Sequence, residues 1–339
     1  MIAHLQHARL VMRQVKLVST GKYLPQAKVT SSMVADRFGG DANFVEEKSG
    51  IKVRHRVQSE TASQMGAFAA QEALSSAGLA ISDIDCIVCT SGCPEQSFPC
   101  TASLVQSHLG AGDSGIPSFD INSSCLSFVT GLDTLSYLIE ANRYRRVLLI
   151  ASEVCSGVNW DDPETGSLFG DGAAAAIIEK SKDGENSAIV ASRMETYGKG
   201  AALSQCLAGG NKYLLEQYQV DPTSFLFTMD GKGLYRMAAQ ILPGFLNRLL
   251  ANSQCSVKDI DLVIPHQASL SALELIRRNL DFPSEKWMSI LENHGNTIAA
   301  SIPMALHEAI VQKKLVRGQL VLLLGTAAGF SVGGLLLRY

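Results

Sequence analysis

The stretch ISDIDCIVCTSG (residues 81–92) returns in altered form as VKDIDLVIPHQA (257–268). In both, Asp-Ile-Asp leads into a short apolar run that reads as a strand buried on both faces. Each copy follows a long amphipathic helical pattern, TASQMGAFAAQEALSSAGL (61–79) and GLYRMAAQILPGFLNRLLANSQ (233–254). Further along, RRVLLIASE (145–153) is echoed by GQLVLLLGTA (318–327). The spacing of paired elements is nearly constant: 176 residues from Asp83 to Asp259, and 174 from Val147 to Val321. Elements repeated in one order at one offset mark an internal duplication. The chain is therefore expected to be an α/β protein of two similar halves that pack on each other. The join falls near EKSKDGENSA (179–188), a polar, charged stretch, giving halves of 12–182 and 183–339.

Composition fits this reading. Of 339 residues, 46% are hydrophobic and 18% charged, enough apolar material for a large core. The net charge of −3 gives no broad attraction to nucleic acid or anionic membrane. LVLLLGTAAGFSVGGLLL (320–337) is about long enough to span a bilayer, but four glycines interrupt it. It reads as strand, glycine-rich loop, strand. MIAHLQHARLVMRQ lacks the apolar core and cleavage site of a signal peptide, so a cytoplasmic location with all eight cysteines free is expected.

Ligand chemistry in such sheets collects at the carboxyl ends of strands. Three residues fall there. Cys125 follows PSFDI, His266 follows DLVIP, and Asn296 lies in ENHGNTIAAS after WMSIL. On the 174-residue offset Cys125 aligns near Ala299, so Cys125 and Asn296 hold related places in the two halves. A cysteine at a helix N-terminus is expected to favour the thiolate and to attack a thioester carbonyl. A neutral histidine and an asparagine amide can both donate hydrogen bonds to an enolate oxygen. The set suits acyl transfer coupled to carbon–carbon bond formation.

The motifs TGKYLP (20–25), SGI (49–51), SFP (97–99), the Cys125 turn, FGDGAAAAI (169–177), PHQAS (265–269), HGNTIAASIPMAL (294–306) and the C-terminal GF (329–330) occur together in this chain. With them the sequence resembles the β-ketoacyl-acyl-carrier-protein synthase III family of the thiolase superfamily, over almost its whole length. The resemblance implies a duplicated thiolase-like fold in αβαβα layers, a homodimer, and catalysis by Cys125, His266 and Asn296. It implies an oxyanion hole from the amides of Cys125 and Ala328. It also implies substrate contacts at Phe44, Lys48, Phe98 and Phe330, and docking of the acyl carrier protein at Arg277 and Arg278. An acyl group, usually from acyl-coenzyme A, passes to Cys125, and decarboxylative condensation with malonyl-carrier protein follows, as in fatty acid biosynthesis. No metal or redox cofactor is implied; the thioesters enter as substrates. Residues 1–11 precede the family-like sequence and form an extension.

The chain departs from the family pattern in its substrate groups. Phe44 stands where housekeeping members carry a tryptophan against the adenine of coenzyme A, and Pro163 where they carry an arginine. Ser271 replaces a basic carrier-docking residue. The oxyanion loop reads Ala327-Ala328-Gly329-Phe330 where the family usually has three glycines before the phenylalanine, and Ala328 would be strained if that position needs φ > 0. A specialised, polyketide-like pathway with a longer or non-acetyl donor is the alternative reading. A classical thiolase would place a second cysteine near the C-terminus, and none lies beyond Cys255. A plant-type polyketide synthase is longer and carries a C-terminal glycine-proline loop. An acyltransferase forming esters or amides does not require Asn296, and a non-catalytic heterodimer subunit tends to lose the triad.

The remaining candidates read as structural. Cys86 and Cys89 form a CxxC, but positions three apart on a strand point to opposite faces. FGDGAAAAI lacks the lysine and spacing of a phosphate loop. His294 reads as a loop residue; His55, His108 and His307 read as structural.

Overall fold

The computed structural model describes residues 12–339 apart from 160, 161, 214, 215, 217–220 and 252. The expected extension 1–11 lies outside the described residues. One sheet contains β1 (Val15–Tyr23), β2 (Cys86–Cys89), β3 (Ser118–Asp120), β4 (Arg146–Glu153) and β5 (Gly172–Lys180), in the order β1-β5-β4-β2-β3. The other contains β6 (Ala188–Thr196), β7 (Leu262–Pro265), β8 (Leu320–Ala327) and β9 (Ser331–Arg338), in the order β6-β9-β8-β7. The run β1-β5-β4-β2 superimposes strand for strand on β6-β9-β8-β7, and β3 has no counterpart in the second sheet. Strands β2 and β4 are parallel, as are β7 and β8; the remaining neighbours in the β1-to-β4 and β6-to-β8 runs are antiparallel. Cys86 pairs with Val147 and Leu262 with Val321, so the offsets read from the sequence are the registers of equivalent strand pairs. The strand expected at WMSIL is reduced to a single bridge between Trp287 and Val263.

The repeated Asp-Ile-Asp has a physical cause. The first aspartate closes a single 3-10 turn: Asp83 accepts the Ala80 amide at 2.9 Å, and Asp259 the Ser256 amide at 2.7 Å. The isoleucines, Ile84 and Ile260, are buried. The second aspartate captures the amide that opens the neighbouring strand. Asp85 accepts from Arg146, and Asp261 from Leu320, at 2.9 and 2.8 Å. Each motif thus joins helix, turn and strand register in three residues.

Helices α1 (Ala62–Ala77) and α2 (Thr101–His108) cover the outer face of the first sheet. Helices α3 (Ser127–Glu140), α4 (Gly231–Leu250), α5 (Leu270–Asn279) and α6 (Ser301–Val311) complete the layers. Helices α4 and α5 cover the outer face of the second sheet. Between the sheets lie α3 and α6, in a core with Leu132, Leu135, Ile302 and Leu306 against Val88, Leu149, Val321 and Leu335. This is the αβαβα sandwich. Cys86 belongs to the central core and Cys89 to the outer one, as their alternation on β2 requires. Arg13 ties the halves: its backbone pairs with Ile189, and its buried guanidinium meets Asp133 at 2.8 Å and Ser192 at 3.0 Å.

The apolar C-terminal segment is the hairpin β8–β9. Among the described residues no helix is long and apolar enough to cross a membrane. In the hairpin loop the left-handed residues are Gly329 (φ 82°) and Phe330 (φ 48°), so the strain expected at Ala328 falls instead on Phe330. Asp171 of FGDG is a buried latch that accepts the amides of Val57 at 2.9 Å and Cys155 at 2.8 Å and meets Arg56 at 3.2 Å.

Candidate active site

Cys125 sits in the turn between β3 and α3. Ser124 adopts a left-handed conformation (φ 52°), and Asn122 Oδ1 accepts its amide at 2.8 Å. Ser127 Oγ accepts the Ser123 amide at 2.8 Å and donates to the Ser124 carbonyl at 2.7 Å. This network presents the Cys125 sulfur to its own amide and to that of Ala328. Two backbone N–H groups beside the sulfur are near enough to the carbonyl of an acyl group bonded there to serve as an oxyanion hole. The expectation of a thiolate differs from the structure. Burial, with the neighbouring Glu153, pushes the Cys125 thiol up to about 12 against those amides. Cys125 precedes the helix proper, and the desolvation it meets outweighs the helix dipole.

His266 follows β7 directly, its amide bonded to the Leu324 carbonyl at 2.8 Å. Its Nδ1 lies 2.7 Å from Ser301 Oγ at the start of α6. Ser301 Oγ also accepts the Gln267 amide at 3.4 Å. With the hydroxyl donating to Nδ1, the neutral ring carries its proton on Nε2, where it can be donated to a substrate. Burial holds the imidazole pKa down to about 4, so His266 is neutral at physiological pH.

Asn296 is oriented from behind. Its Oδ1 accepts the Ile298 amide at 2.9 Å, which fixes the flip of the side chain. Its Nδ2 makes one long bond, 3.4 Å, to the Ala268 carbonyl beside His266 and keeps a second N–H to donate. The Phe169 segment anchors the loop: the Asn296 amide donates to Leu168 O at 2.8 Å, and Gly170 N donates to Asn296 O at 3.1 Å.

Two glycines let these elements approach. A Cβ on Gly325 would lie 2.9 Å from the His266 Cβ and 3.2 Å from Leu126 Cδ2, next to Cys125. A Cβ on Gly92 would lie 2.8 Å from Ile298 Cγ2 and 3.4 Å from the Ser124 carbonyl carbon. The Cys125 turn, the His266 loop and the Asn296 loop thus meet where the two halves face each other.

Phe44, on the helix Ala42–Ser49, is 59% exposed, with Lys48 Nζ 5.8 Å from its ring centroid. Lys48 also faces Glu164 at 3.6 Å, beside Pro163. Phe98 is 88% exposed. Phe330 is buried in the outer core of the second half, 6.4 Å from the Tyr197 ring. Arg277 and Arg278 share Glu274, at 2.9 and 3.3 Å. His294 is buried, its Nδ1 bonded to the Ile290 carbonyl at 3.0 Å. Among the described residues no cluster of His, Cys, Asp or Glu is placed to hold a metal. Sequence reasoning missed Ser301 and Glu153. Ser301 reads as an ordinary helix-start serine, and only the fold brings it to His266.

A duplicated αβαβα sandwich with a cysteine, a histidine and an asparagine on loops that meet between its halves defines a thiolase-fold condensing enzyme. Residues 119–198 match the family model described as 3-oxoacyl-[acyl-carrier-protein (ACP)] synthase III, and residues 250–339 the one for its C-terminal part. β-Ketoacyl-[acyl-carrier-protein] synthase III of Aquifex aeolicus is 34% identical over 325 residues, 96% of this chain and 99% of that one. The Vesicomyosocius okutanii enzyme of the same name is 32% identical over 325 residues, 96% and 98% of the two chains. The crystal structure of 3-oxoacyl-[acyl-carrier-protein] synthase III from Aquifex aeolicus superimposes with a TM-score of 0.87 at 33% identity, covering 96% of this chain and 100% of that one. The priming β-ketosynthase of the R1128 polyketide pathway superimposes with a TM-score of 0.86 at 26% identity, covering 98% of each chain. The chain belongs to the 3-oxoacyl-[acyl-carrier-protein] synthase III family and is a condensing enzyme of the acyltransferase class.

Proposed function

We propose that Cys125, His266 and Asn296 carry out a two-stage condensation in fatty acid biosynthesis. The observation that supports this most is the convergence of the Cys125 and Ala328 amides on the Cys125 sulfur. In the first stage the sulfur attacks the carbonyl of an acyl-coenzyme A. A new carbon–sulfur bond forms, the bond to coenzyme A breaks, and the thiol proton leaves with the departing thiol. The two amides hold the oxyanion. In the second stage malonyl-carrier protein loses CO₂, and the electron pair passes into an enolate. Nε2–H of His266 and Nδ2–H of Asn296 donate to the enolate oxygen. The enolate carbon attacks the acyl-Cys125 carbonyl and releases a 3-oxoacyl thioester, and the cysteine thiolate regains a proton from solvent.

The same reading assigns further parts. Halves 12–182 and 183–339 contribute the nucleophile and the enolate donors respectively. Exposed Arg278, on α5, is offered to the acidic carrier protein. The open edge of β3 and the exposed Phe98 suit a homodimer formed edge to edge, and the enzyme works in the cytoplasm without a resident cofactor. Intact-mass spectrometry after incubation with acyl-coenzyme A and acyl-carrier thioesters tests the core of this reading. An acyl adduct is expected on the wild type and not on Cys125→Ala; equal acylation of both overturns the nucleophile assignment. Turnover across the panel reads the donor: fastest turnover with acetyl-coenzyme A fits primary synthesis, and fastest with longer chains fits a specialised pathway. Sedimentation of the free enzyme at the mass of one chain would overturn the dimer.

A further inference from the structure

Glu153 ends β4 with its carboxylate wholly buried, and the condensation above does not use it. One oxygen accepts the Gly92 amide, the other the Cys93 amide at 3.2 Å, and the Ala299 amide faces the same carboxylate. Gly92 and Cys93 belong to the turn after β2, in the half that carries Cys125. Ala299 belongs to the turn after Asn296, in the other half. The carboxylate is thus a three-amide knot across the pseudo-twofold interface. Gly92 leaves no room for a side chain between Ile298 and Ser124, so whatever holds Gly92 also sets the gap between the Asn296 and Cys125 turns.

A buried carboxylate is costly unless hydrogen bonds satisfy it. Three amide donors favour the ionised form. Burial and Asp171 work the other way and push Glu153 up to about 8. A residue retained at that cost beside the nucleophile invites a role. Plain packing would be served by an apolar side chain of the same size.

Building on the reading of Cys125 and Asn296 given above, we propose that Glu153 is a positioning residue for the condensation: its carboxylate pins the Gly92–Cys93 and Ala299 backbones together and so sets the separation of the nucleophile from the enolate-binding groups. Above about pH 8, where Glu153 is ionised, its charge also opposes formation of the Cys125 thiolate.

The test compares Glu153→Gln and Glu153→Asp with the wild type. The readouts are condensation, malonyl-thioester decarboxylation, and the pH dependence of Cys125 alkylation by iodoacetamide, with the modified peptide identified by mass. Gln removes the charge and leaves one acceptor oxygen. Condensation should fall at least tenfold, and the alkylation profile should move to lower pH. Asp keeps the charge but draws the carboxylate back by one carbon. Condensation should fall at least threefold while the alkylation profile stays near that of the wild type. If Gln does not fold, Asp decides. A folded variant that condenses within twofold of the wild type overturns the proposal. Acylation by the thioester substrate found on a cysteine other than Cys125 overturns the nucleophile reading instead, so the two failures are distinguishable.

Discussion

Ser301 Oγ lies 2.7 Å from Nδ1 of His266, although 35 positions separate the residues in the chain. The Gln267 amide donates to the same oxygen, and the proposed reaction uses the tautomer in which the hydroxyl donates to Nδ1 and the ring proton sits on Nε2. The bond decides which ring nitrogen can donate to an enolate, and it couples the start of α6 to the end of β7.

Ser301→Ala should therefore impair the second stage more than the first. Without the hydroxyl, the buried Nδ1 loses its donor and the Nε2–H tautomer loses its advantage. An unsatisfied buried group costs about 1–3 kcal/mol, a fall of roughly tenfold to a hundredfold in condensation. Acylation of Cys125, followed by intact mass, should stay within a few-fold of the wild type. Ser301→Thr keeps a hydroxyl and should restore part of the rate. Equal loss in both stages would show that Ser301 only supports the fold.

Asn296→Asp tests the other enolate donor. The carboxylate can still accept the Ile298 amide, but its second oxygen no longer donates. It would face both the Ala268 carbonyl and the enolate oxygen as an acceptor. Removing one oxyanion donor costs about 10²–10³ in rate. CO₂ release from malonyl-carrier protein should fall by that order, while acyl-Cys125 still forms. Unchanged decarboxylation would remove Asn296 from the reaction.

The fold was legible in the sequence because its cause is local and repeated. Asp83–Asp85 and Asp259–Asp261 each perform the same capping and registering task, and the chain writes that task twice. The positions of Cys125 and His266 were legible because each follows a strand that the sequence marks; Asn296 follows the short helix Leu291–His294 instead of a strand. The charge state of Cys125 was not legible. A helix N-terminus argues for a thiolate, but the desolvation and the carboxylate of Glu153 come from segments far apart in sequence. Ser301 was hidden for the same reason, and hairpin geometry places the left-handed residues at Gly329 and Phe330 and not at Ala328. The segment WMSIL carries strand composition, yet it makes one bridge at the edge of the second sheet.

Cys125 alkylation should rise steeply with pH in the free enzyme. The thiolate is the reactive form, and burial places its pKa near 12. Below that value the thiolate fraction, and with it the iodoacetamide rate, grows about tenfold per pH unit. Rates measured between pH 6 and 9, with Cys125→Ala as the blank, should show no plateau. A plateau at or below pH 7 would mean that the amides of Cys125 and Ala328 outweigh the desolvation.

Gly325→Ala should destabilise the enzyme and disturb the site together. The added methyl would press on the His266 Cβ at 2.9 Å and on Leu126 Cδ2 at 3.2 Å. Overpacking of this kind costs about 1–3 kcal/mol, readable as a lowered denaturant midpoint at unchanged slope. Both neighbours flank the reacting groups, so condensation should also fall. Full activity with wild-type stability would mean that β8 shifts freely and that Gly325 is no spacer.

Stability should fall as pH drops from about 6.5 to about 4. His266 and His294 are both buried and neutral, and desolvation depresses each to about 4 from an ordinary 6.5. For His294, Lys22 depresses it further, against Glu308 and the Ile290 carbonyl. Between the two values the unfolded chain binds protons that the folded chain refuses, so unfolding takes up protons and is favoured by acid. Each histidine contributes at most about 1.4 kcal/mol per pH unit in that window and nothing above it. Urea titrations at pH 7.5, 6.0, 5.0 and 4.5 should show a flat region and then a decline. His294→Gln removes one of the two groups and should make the decline shallower, by up to half if these two groups dominate. A stability curve of equal slope in that variant would mean that His294 takes up its proton in the folded state, with Glu308 as the counter-charge 4.0 Å away.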